Sequence, residues 1–272
     1  MKDYCIIYHA RCSDGFGAAW AIWNLLGDQA VYRQAEHGSP PPQEVEGRHV
    51  VIADFSYSKK TLLKIKDKAK SIIVLDHHKS AYEDLHDLDF AKFDMSRSGA
   101  GMTWDHFHST KRPPLIDYIE DRDLWKWSLP NSKEIMTAFE CVKPSFESFS
   151  EFNERLCTEH GMSEVVAQGS AILPYKNAKS RSLSEKAYMV DLSAICSLND
   201  PSLQVPCVNT ALFHSEVGNL LAQTHPLAII WYRAEDGRYR HSLRSVGKID
   251  CSKIAEFWGG GGHADASGFT TT

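Results

Sequence analysis

The sequence predicts an α/β protein of two lobes, an N-terminal lobe built on a parallel sheet and a smaller C-terminal lobe with a mixed sheet. Three observations predict it. Between Tyr4 and Ser80 a unit recurs in which a short apolar run ends on an acid or a histidine and an amphipathic helix follows; strands alternating with helices make parallel sheets. From about Ser132 to Ser184 the pattern is helical and more charged, with no further acid or imidazole cluster, and it reads as a connection between lobes. Strand-like runs then return, two of them joined through a glycine turn at Glu235-Asp236-Gly237.

Taken in order, "YCIIYH" is the first strand, "ARCSDG" a turn, and "FGAAWAIWNLLG" a helix closed by Gly27. "HVVIADF" repeats the pattern, with Asp54 at the end of its apolar run and "SKKTLLKIKDKAK" as the helix. In "SIIVLDHHKS" a run rich in aliphatic and β-branched residues, as in a strand covered on both faces, ends on Asp76, His77 and His78. "SGAGMTWDHFHS" is a further helix, and Pro113 or Pro114 opens the next, "PPLIDYIEDRDLWKW". "AYMVDLSAI", "VPCVNTALF" and "PLAIIWYRAEDGRYRHSLRS" supply the later strands, and the helix "CSKIAEFW" runs into "GGGGHADASGF". The boundaries are therefore 1–131, a helical connection at 132–184, and 185–272.

At 272 residues and 43% hydrophobic the chain builds a substantial core. A net charge of −5 leaves no global basic field, which argues against tight binding to long duplex nucleic acid and leaves room for a small anionic substrate in a local site. Cys5, Cys12, Cys141, Cys157, Cys196, Cys207 and Cys251 are odd in number and form no C-x-x-C pair, as expected of reduced thiols in a cytoplasmic protein. The N-terminal apolar stretch is too short for a signal peptide, and no segment is long enough to cross a bilayer.

His9, Asp14, Asp54, Asp76, His77, His78 and Asp121 come from four separate segments, most of them just after a strand, and in open α/β sheets ligands bind outside the carboxyl ends of the strands. Carboxylate oxygens with imidazole nitrogens suit Mn²⁺, Fe²⁺, Zn²⁺ or Co²⁺, and Mn²⁺ or Mg²⁺ best as carboxylates dominate. Two such ions sharing a carboxylate bind phosphoryl oxygens and acidify a bound water, which points to hydrolysis of a phosphate ester or anhydride. Singly, Asp14 and Asp54 serve equally well as helix N-caps and His9 as an ordinary structural histidine; His86, His106 and His108, away from strand ends, are read as ordinary.

"HARCSDGFGAAWA", "VIADFS", "IIVLDHHKS", "IEDRD" and "GGGGHADASGF" together resemble the successive motifs of the DHH phosphoesterase superfamily, in the group with a DHH-associated C-terminal domain. The resemblance spans Tyr8 to Phe269 and is similar to the nano-RNase, or oligoribonuclease, branch. It implies an N-terminal DHH domain that cuts, a C-terminal domain that grips the substrate, and an active site in the cleft between them. It implies that Asp54 bridges two ions, that Asp14, His77 and Asp121 (in preference to Asp123) hold one, and that His9 holds the other. Asp76 then orients a ligand, and His78 faces the scissile phosphate. Where many members have an aspartate two positions before Asp14, this chain has Cys12, which either ligates a softer ion or lines the pocket as a neutral thiol.

In the C-terminal lobe, glycines such as Gly261 and Gly262 let backbone N–H groups approach a phosphate, although a flexible turn after a helix explains them too. His263, Arg244 and Ser242 add donors, and Arg244 offers a planar fork. Ser98, Gly99, Asn209 and Ser215 resemble family positions near the cleft; Trp125 and Trp127 are read as packing. The expected cofactor is two Mn²⁺ ions, with Mg²⁺, Co²⁺ or Zn²⁺ as alternatives. The expected substrate is a short oligonucleotide or linear dinucleotide cut to mononucleotides. A nucleotide 3′-phosphatase and a non-catalytic nucleotide-binding regulator are the alternatives; a processive exonuclease would need a basic channel that this acidic chain lacks. A homodimer is compatible with the sequence.

Overall fold

The computed structural model describes residues 2–194 and 203–272. Cys196 and the last residue of the strand-like run at 187–195 lie outside them. The chain forms two compact units, one ending at Leu173 and the other beginning at Pro174.

The first unit opens with β1 (Tyr4–His9), α1 (Ser13–Leu26), β2 (Ala30–Ala35), β3 (His49–Ala53), α2 (Lys59–Lys68), β4 (Ser71–Asp76), α3 (Lys79–Leu85) and β5 (Ala91–Phe93). The sheet runs β2-β1-β3-β4-β5 and every neighbouring pair is parallel. Period-two alternation assigns its faces. Ile6 and Val51 pack with Ile22 of α1, whereas Ile7, Ile52 and Val74 pack with Leu62 and Ile65 of α2 and Leu85 of α3. From β1 the chain steps outward to β2 and then returns to the far side of β1 for β3, so the connections reverse direction between β1 and β3. That reversal opens a crevice at the carboxyl ends of these two strands.

The unit continues with α4 (Gly99–Phe107), α5 (Pro114–Asp123), α6 (Ser132–Phe139), α7 (Phe146–Leu156) and α8 (Glu159–Ser184). Ile135, Met136 and Phe139 of α6, Phe149, Phe152 and Leu156 of α7, and Val165 of α8 are buried in one cluster with Trp20, Leu115 and Ile119. This corrects the expectation that 132–184 only connects lobes: through Leu173 these helices complete the core that covers α1 and α5, because their aromatic stripes need an apolar partner. The unit boundary falls inside α8, at Pro174.

The second unit contains β6 (Tyr188–Asp191), β7 (Gln204–Asn209), α9 (His214–Thr224), β8 (Ala228–Arg233), β9 (Tyr239–Arg244), α10 (Cys251–Phe257), β10 (Gly261–Gly262) and β11 (Ala266–Thr271). Its sheet runs β10-β11-β9-β8-β7-β6 and is mixed, with β7 and β8 parallel and the other pairs antiparallel. Val208 and Ile230 face Val217 and Leu221 of α9, while Cys207 and Ile229 face Cys251 and Ile254 of α10.

Cys5, Cys12, Cys141, Cys157, Cys207 and Cys251 carry free thiols. Among the described residues no helix is long and apolar enough to cross a membrane.

Candidate metal centre

The carboxyl ends of β1, β3 and β4 deliver a ring of acids and imidazoles. His9 ends β1, Asp54 follows β3, and Asp76 ends β4 with His77 and His78 directly behind it. Asp14 enters from the first turn of α1. Two close approaches make this possible: a Cβ at Gly15 would stand 2.4 Å from the His9 carbonyl oxygen, and one at Gly99 would stand 2.4 Å from the Asp54 Cβ. The starts of α1 and α4 therefore sit directly on the ends of β1 and β3. Asp54 itself holds φ at 56°, a left-handed conformation that aspartate adopts more readily than most residues.

His77 is the hub. Its Nε2 lies 3.0 Å from Asp54 Oδ1, 3.4 Å from Asp14 Oδ2 and 3.6 Å from Asp123 Oδ2. The other oxygen of Asp54, Oδ2, points to the opposite side, 3.6 Å from His9 Nδ1. Asp54 Oδ2 is buried and accepts no hydrogen bond. Asp14 is held by the N-terminus of α4, its two oxygens accepting from the Gly99 N–H at 2.6 Å and the Ala100 N–H at 2.9 Å. Ser98 caps that helix by accepting from the Gly101 N–H at 3.1 Å.

Asp76 orients its neighbours. Oδ1 accepts from the His77 N–H at 2.8 Å and pairs with His78 Nδ1 at 2.6 Å, and Oδ2 accepts from the Ser56 hydroxyl at 2.6 Å. His78 keeps 14% of its side chain exposed. Burial would raise the Asp76 carboxyl, but His78, His77 and Ser56 outweigh it and hold it down at about 2. An ionised carboxylate only accepts, so the proton between Asp76 and His78 sits on Nδ1.

The electrostatics are those of a site built for a cation. Burial pushes the Asp14 carboxyl well up, and the charges of Asp54 and Asp123 add to it. Burial and Asp54 likewise raise Asp123, against the pull of His77. Burial would lower His77, but Asp54, Asp123 and Asp14 outweigh it and raise it well above the usual imidazole value. For Asp54, His77 and His9 overcome burial and hold the carboxyl well down. Three carboxylates gathered on one imidazole, together with a buried, unbonded Asp54 oxygen, fit divalent cations: paired positive charge and coordination are how buried carboxylates are satisfied. Ligand atoms within 4.8 Å of one another gather His9, Cys12 and Asp54 in one group, Asp14, His77 and Asp123 in another, and Asp54, Asp76 and His78 in a third. Asp54 belongs to the first group through Oδ2 and reaches the second through Oδ1.

The geometry corrects one sequence expectation. Asp121 is not in the ring. Its Oδ1 accepts from the Ser128 N–H and hydroxyl, and its Oδ2 from the Ser132 hydroxyl and the Leu129 N–H, which makes it the anchor of the turn before α6. Burial would raise its carboxyl, but these donors outweigh it and lower it. Asp123, the last residue of α5, stands at His77 instead, with 25% of its side chain exposed.

Sequence reasoning also missed His37, in the loop after β2, whose ring lies edge-on to His9 at 5.9 Å. Burial and the neighbouring His9 and His78 push it down to about 4. The signal was available, since a residue just past a parallel strand shares the mouth of the sheet, but β2 itself was not recognised.

In the second unit Ser242 and Arg244 both lie on β9, with Ser242 opposite Gly268 and Arg244 opposite Ala266. Gly261 pairs with Gly268 from the other side, so Ser242, Gly268 and Gly261 form a row across three strands. The His263 N–H donates to the Ala266 carbonyl, bringing His263 to the Arg244 end of the sheet. Arg244 Nη2 donates to the Ser215 hydroxyl at 2.9 Å. A Cβ on Gly260 would stand 2.1 Å from the Gly268 carbonyl, and Gly262 holds φ at 138°, so the glycine run is required by strand packing as well. Phe269 is buried, stacked on His241 and Trp258.

Residues 214–272 match the DHHA1 domain family. An uncharacterized protein, R106, of Acanthamoeba polyphaga mimivirus is 30% identical over 97% of this chain, which spans 66% of that protein's length. Oligoribonuclease NrnB of Bacillus subtilis is 42% identical over 69 residues, 25% of this chain and 17% of that protein. In fold, the whole chain superposes on half of RecJ from Thermus thermophilus, crystallised with Mn²⁺, at a TM-score of 0.51 and 14% identity. The parallel sheet carries Asp76-His77-His78 at its mouth, and the glycine-histidine motif lies within residues 214–272, which belong to the DHHA1 domain family.

Proposed function

We propose that the protein is a divalent-metal-dependent phosphodiesterase that hydrolyses short oligonucleotides or linear dinucleotides to mononucleotides, with Mn²⁺ as its preferred ion. One observation carries the reading: Asp14, Asp54 and Asp123 converge on His77 Nε2 within 3.6 Å, while the second Asp54 oxygen stays buried and unbonded toward His9. Divalent cations satisfy such a cluster, and phosphoryl transfer is a chemistry that paired cations on shared carboxylates perform. The oligoribonuclease NrnB supports the choice of substrate by its name.

Ions held by His9 and Asp54, and by Asp14, His77, Asp123 and Asp54, would neutralise phosphoryl charge and acidify a nucleophilic water. The chain's own groups do the rest. Asp54 spans both donor groups and fixes their spacing through its constrained backbone. Asp76 fixes the His78 ring through Nδ1, so that Nε2 is the nitrogen left for the substrate and, in the imidazolium form, donates to a phosphate oxygen or protonates the leaving group. In the second unit, Arg244, Ser242 and the N–H groups near His263 supply donors suited to a phosphate.

The test is turnover of a 5′-phosphorylated RNA dinucleotide by metal-stripped protein on adding back Mn²⁺, with products resolved by chromatography. Mononucleotide release is expected. Release of inorganic phosphate from a 3′,5′-bisphosphorylated nucleotide, with the dinucleotide untouched, would replace the reading by that of a phosphatase.

A further inference from the structure

Cys12 occupies a position that the hard donors around it do not explain. It is the N-cap of α1, with extended backbone at φ −124° and ψ 136°, and the Gly15 N–H at the third helical position is the backbone donor its sulfur meets. A thiol is only a weak hydrogen-bond acceptor, so a cap alone does not call for cysteine here. Its sulfur, a His9 ring nitrogen and an Asp54 oxygen all lie within 4.8 Å of one another. The thiol is free and partly buried. Asp54 Oδ2 provides the independent sign of a missing ligand: it is directed to this side, on a side chain 1% exposed, and accepts no hydrogen bond.

We propose that Cys12 is a direct metal ligand, and that the His9, Cys12, Asp54 half of the centre is a nitrogen, sulfur and oxygen site for a thiophilic divalent ion of the Zn²⁺, Co²⁺ or Fe²⁺ class. This rests on the metal-centre reading above. The Asp14, His77, Asp123 half offers oxygen, nitrogen and oxygen and keeps the preference for Mn²⁺ or Mg²⁺, because carboxylates suit harder ions and thiolates softer ones. The loaded protein is then a mixed-metal centre in which one residue, Cys12, sets the identity of one ion. On binding, the thiol gives its proton to solvent and the sulfur becomes the donor, so one metal–sulfur bond replaces one sulfur–hydrogen bond without any change of oxidation state. Loss of such a ligand costs at least the roughly 10- to 100-fold in affinity that loss of a ligand's hydrogen-bond partner costs.

The experiment is anaerobic Co²⁺ titration of the metal-stripped, reduced full-length protein, followed by absorption spectroscopy and elemental analysis, for the wild type, Cys12→Ser and Cys12→Asp. The wild type is expected to show a sulfur-to-cobalt charge-transfer band in the near ultraviolet that saturates at one equivalent. Both variants are expected to lack the band, with Cys12→Asp still taking up two ions. Equilibrated with equimolar Zn²⁺ and Mn²⁺, the wild type should retain one of each, and Cys12→Asp should exchange its zinc for manganese, with zinc affinity lower by tenfold or more in Cys12→Ser. Two cobalt ions bound without the band, or a band that survives in Cys12→Ser, overturns the role of Cys12 and leaves the metal centre standing. Failure to bind cobalt at all in a folded wild type overturns the metal-centre reading and this inference with it.

Discussion

Around His77 the competition between charge and burial is decided by single side chains. Asp121 and Asp123 separate two ways a carboxylate is satisfied, the first buried and the second partly exposed. Asp121 is fully bonded by Ser128, Leu129 and Ser132, so Asp121→Asn should lower the melting temperature of the metal-free protein, by the equivalent of about 1–3 kcal/mol for charged hydrogen bonds, and leave Mn²⁺ affinity nearly unchanged. Because its carboxyl is held below the ordinary value, that stabilisation is fully present above roughly pH 4 and is lost as pH falls through the folded-state value. The gap between wild-type and variant melting curves should therefore close only in acid. Asp123→Asn should do the reverse: it removes a like charge from beside Asp14 and Asp54, so metal-free stability holds or rises while the stabilisation by Mn²⁺ disappears. Equal effects of the two changes on Mn²⁺ binding would refute this division. His78→Ala should lower kcat by roughly 10²- to 10⁴-fold with two ions still bound, as measured by turnover and elemental analysis of the same samples.

At the scale of elements, β1, β3 and β4 were legible because each is a short apolar run buried on both faces and ended by an acid or histidine. β2 and β5 were not. β2, at a sheet edge, shows no alternation, with adjacent exposed Arg33 and Gln34 between buried Ala30 and Ala35, and β5 has three residues, too few for a periodicity to show. Missing β2 hid His37. The choice between Asp121 and Asp123 turned on helix phase: two residues apart on a helix face nearly opposite ways. Ile116, Ile119 and Asp123 share one stripe, and Ile119 approaches Gly17 of α1, so the stripe leads to Asp14 one turn away. Tyr118 and Asp121 share the other side, where Tyr118 donates to the Pro130 carbonyl. The family motif matched both acids and could not weigh this. The close approach of α4 to β3 yields a test of its own. Gly99→Ala places a methyl 2.4 Å from the Asp54 Cβ, against a left-handed backbone that has no freedom to retreat. It should cost about 1–3 kcal/mol in chemical denaturation and weaken Mn²⁺ binding through Asp54. Unchanged metal affinity would mean that Asp54 is not held in place by this contact.

For the molecule as a whole, the centre stores unfavourable charge that a cation releases. Ligand binding to the folded state alone stabilises by about 2.7 kcal/mol at one hundred times Kd, so Mn²⁺ should raise the melting temperature clearly. The gain should grow with pH. His77 is raised, so its contribution to metal-free stability is present below roughly pH 6.5 and is lost as pH rises through its folded-state value; Asp14, raised as well, loses its contribution in the same direction. Metal binding replaces those protons, and a thermal shift that stays flat or shrinks between pH 6 and 8 would contradict the assignment of these groups as ligands.

If Asp54 joins both donor groups of the metal centre, as proposed, its loss removes both ions at once. The most direct measurement is dinucleotide turnover by Asp54→Ala in saturating Mn²⁺, with circular dichroism confirming the fold. A folded protein with no detectable turnover and no melting-temperature gain from Mn²⁺ is expected; turnover retained near the wild-type rate would contradict that role of Asp54.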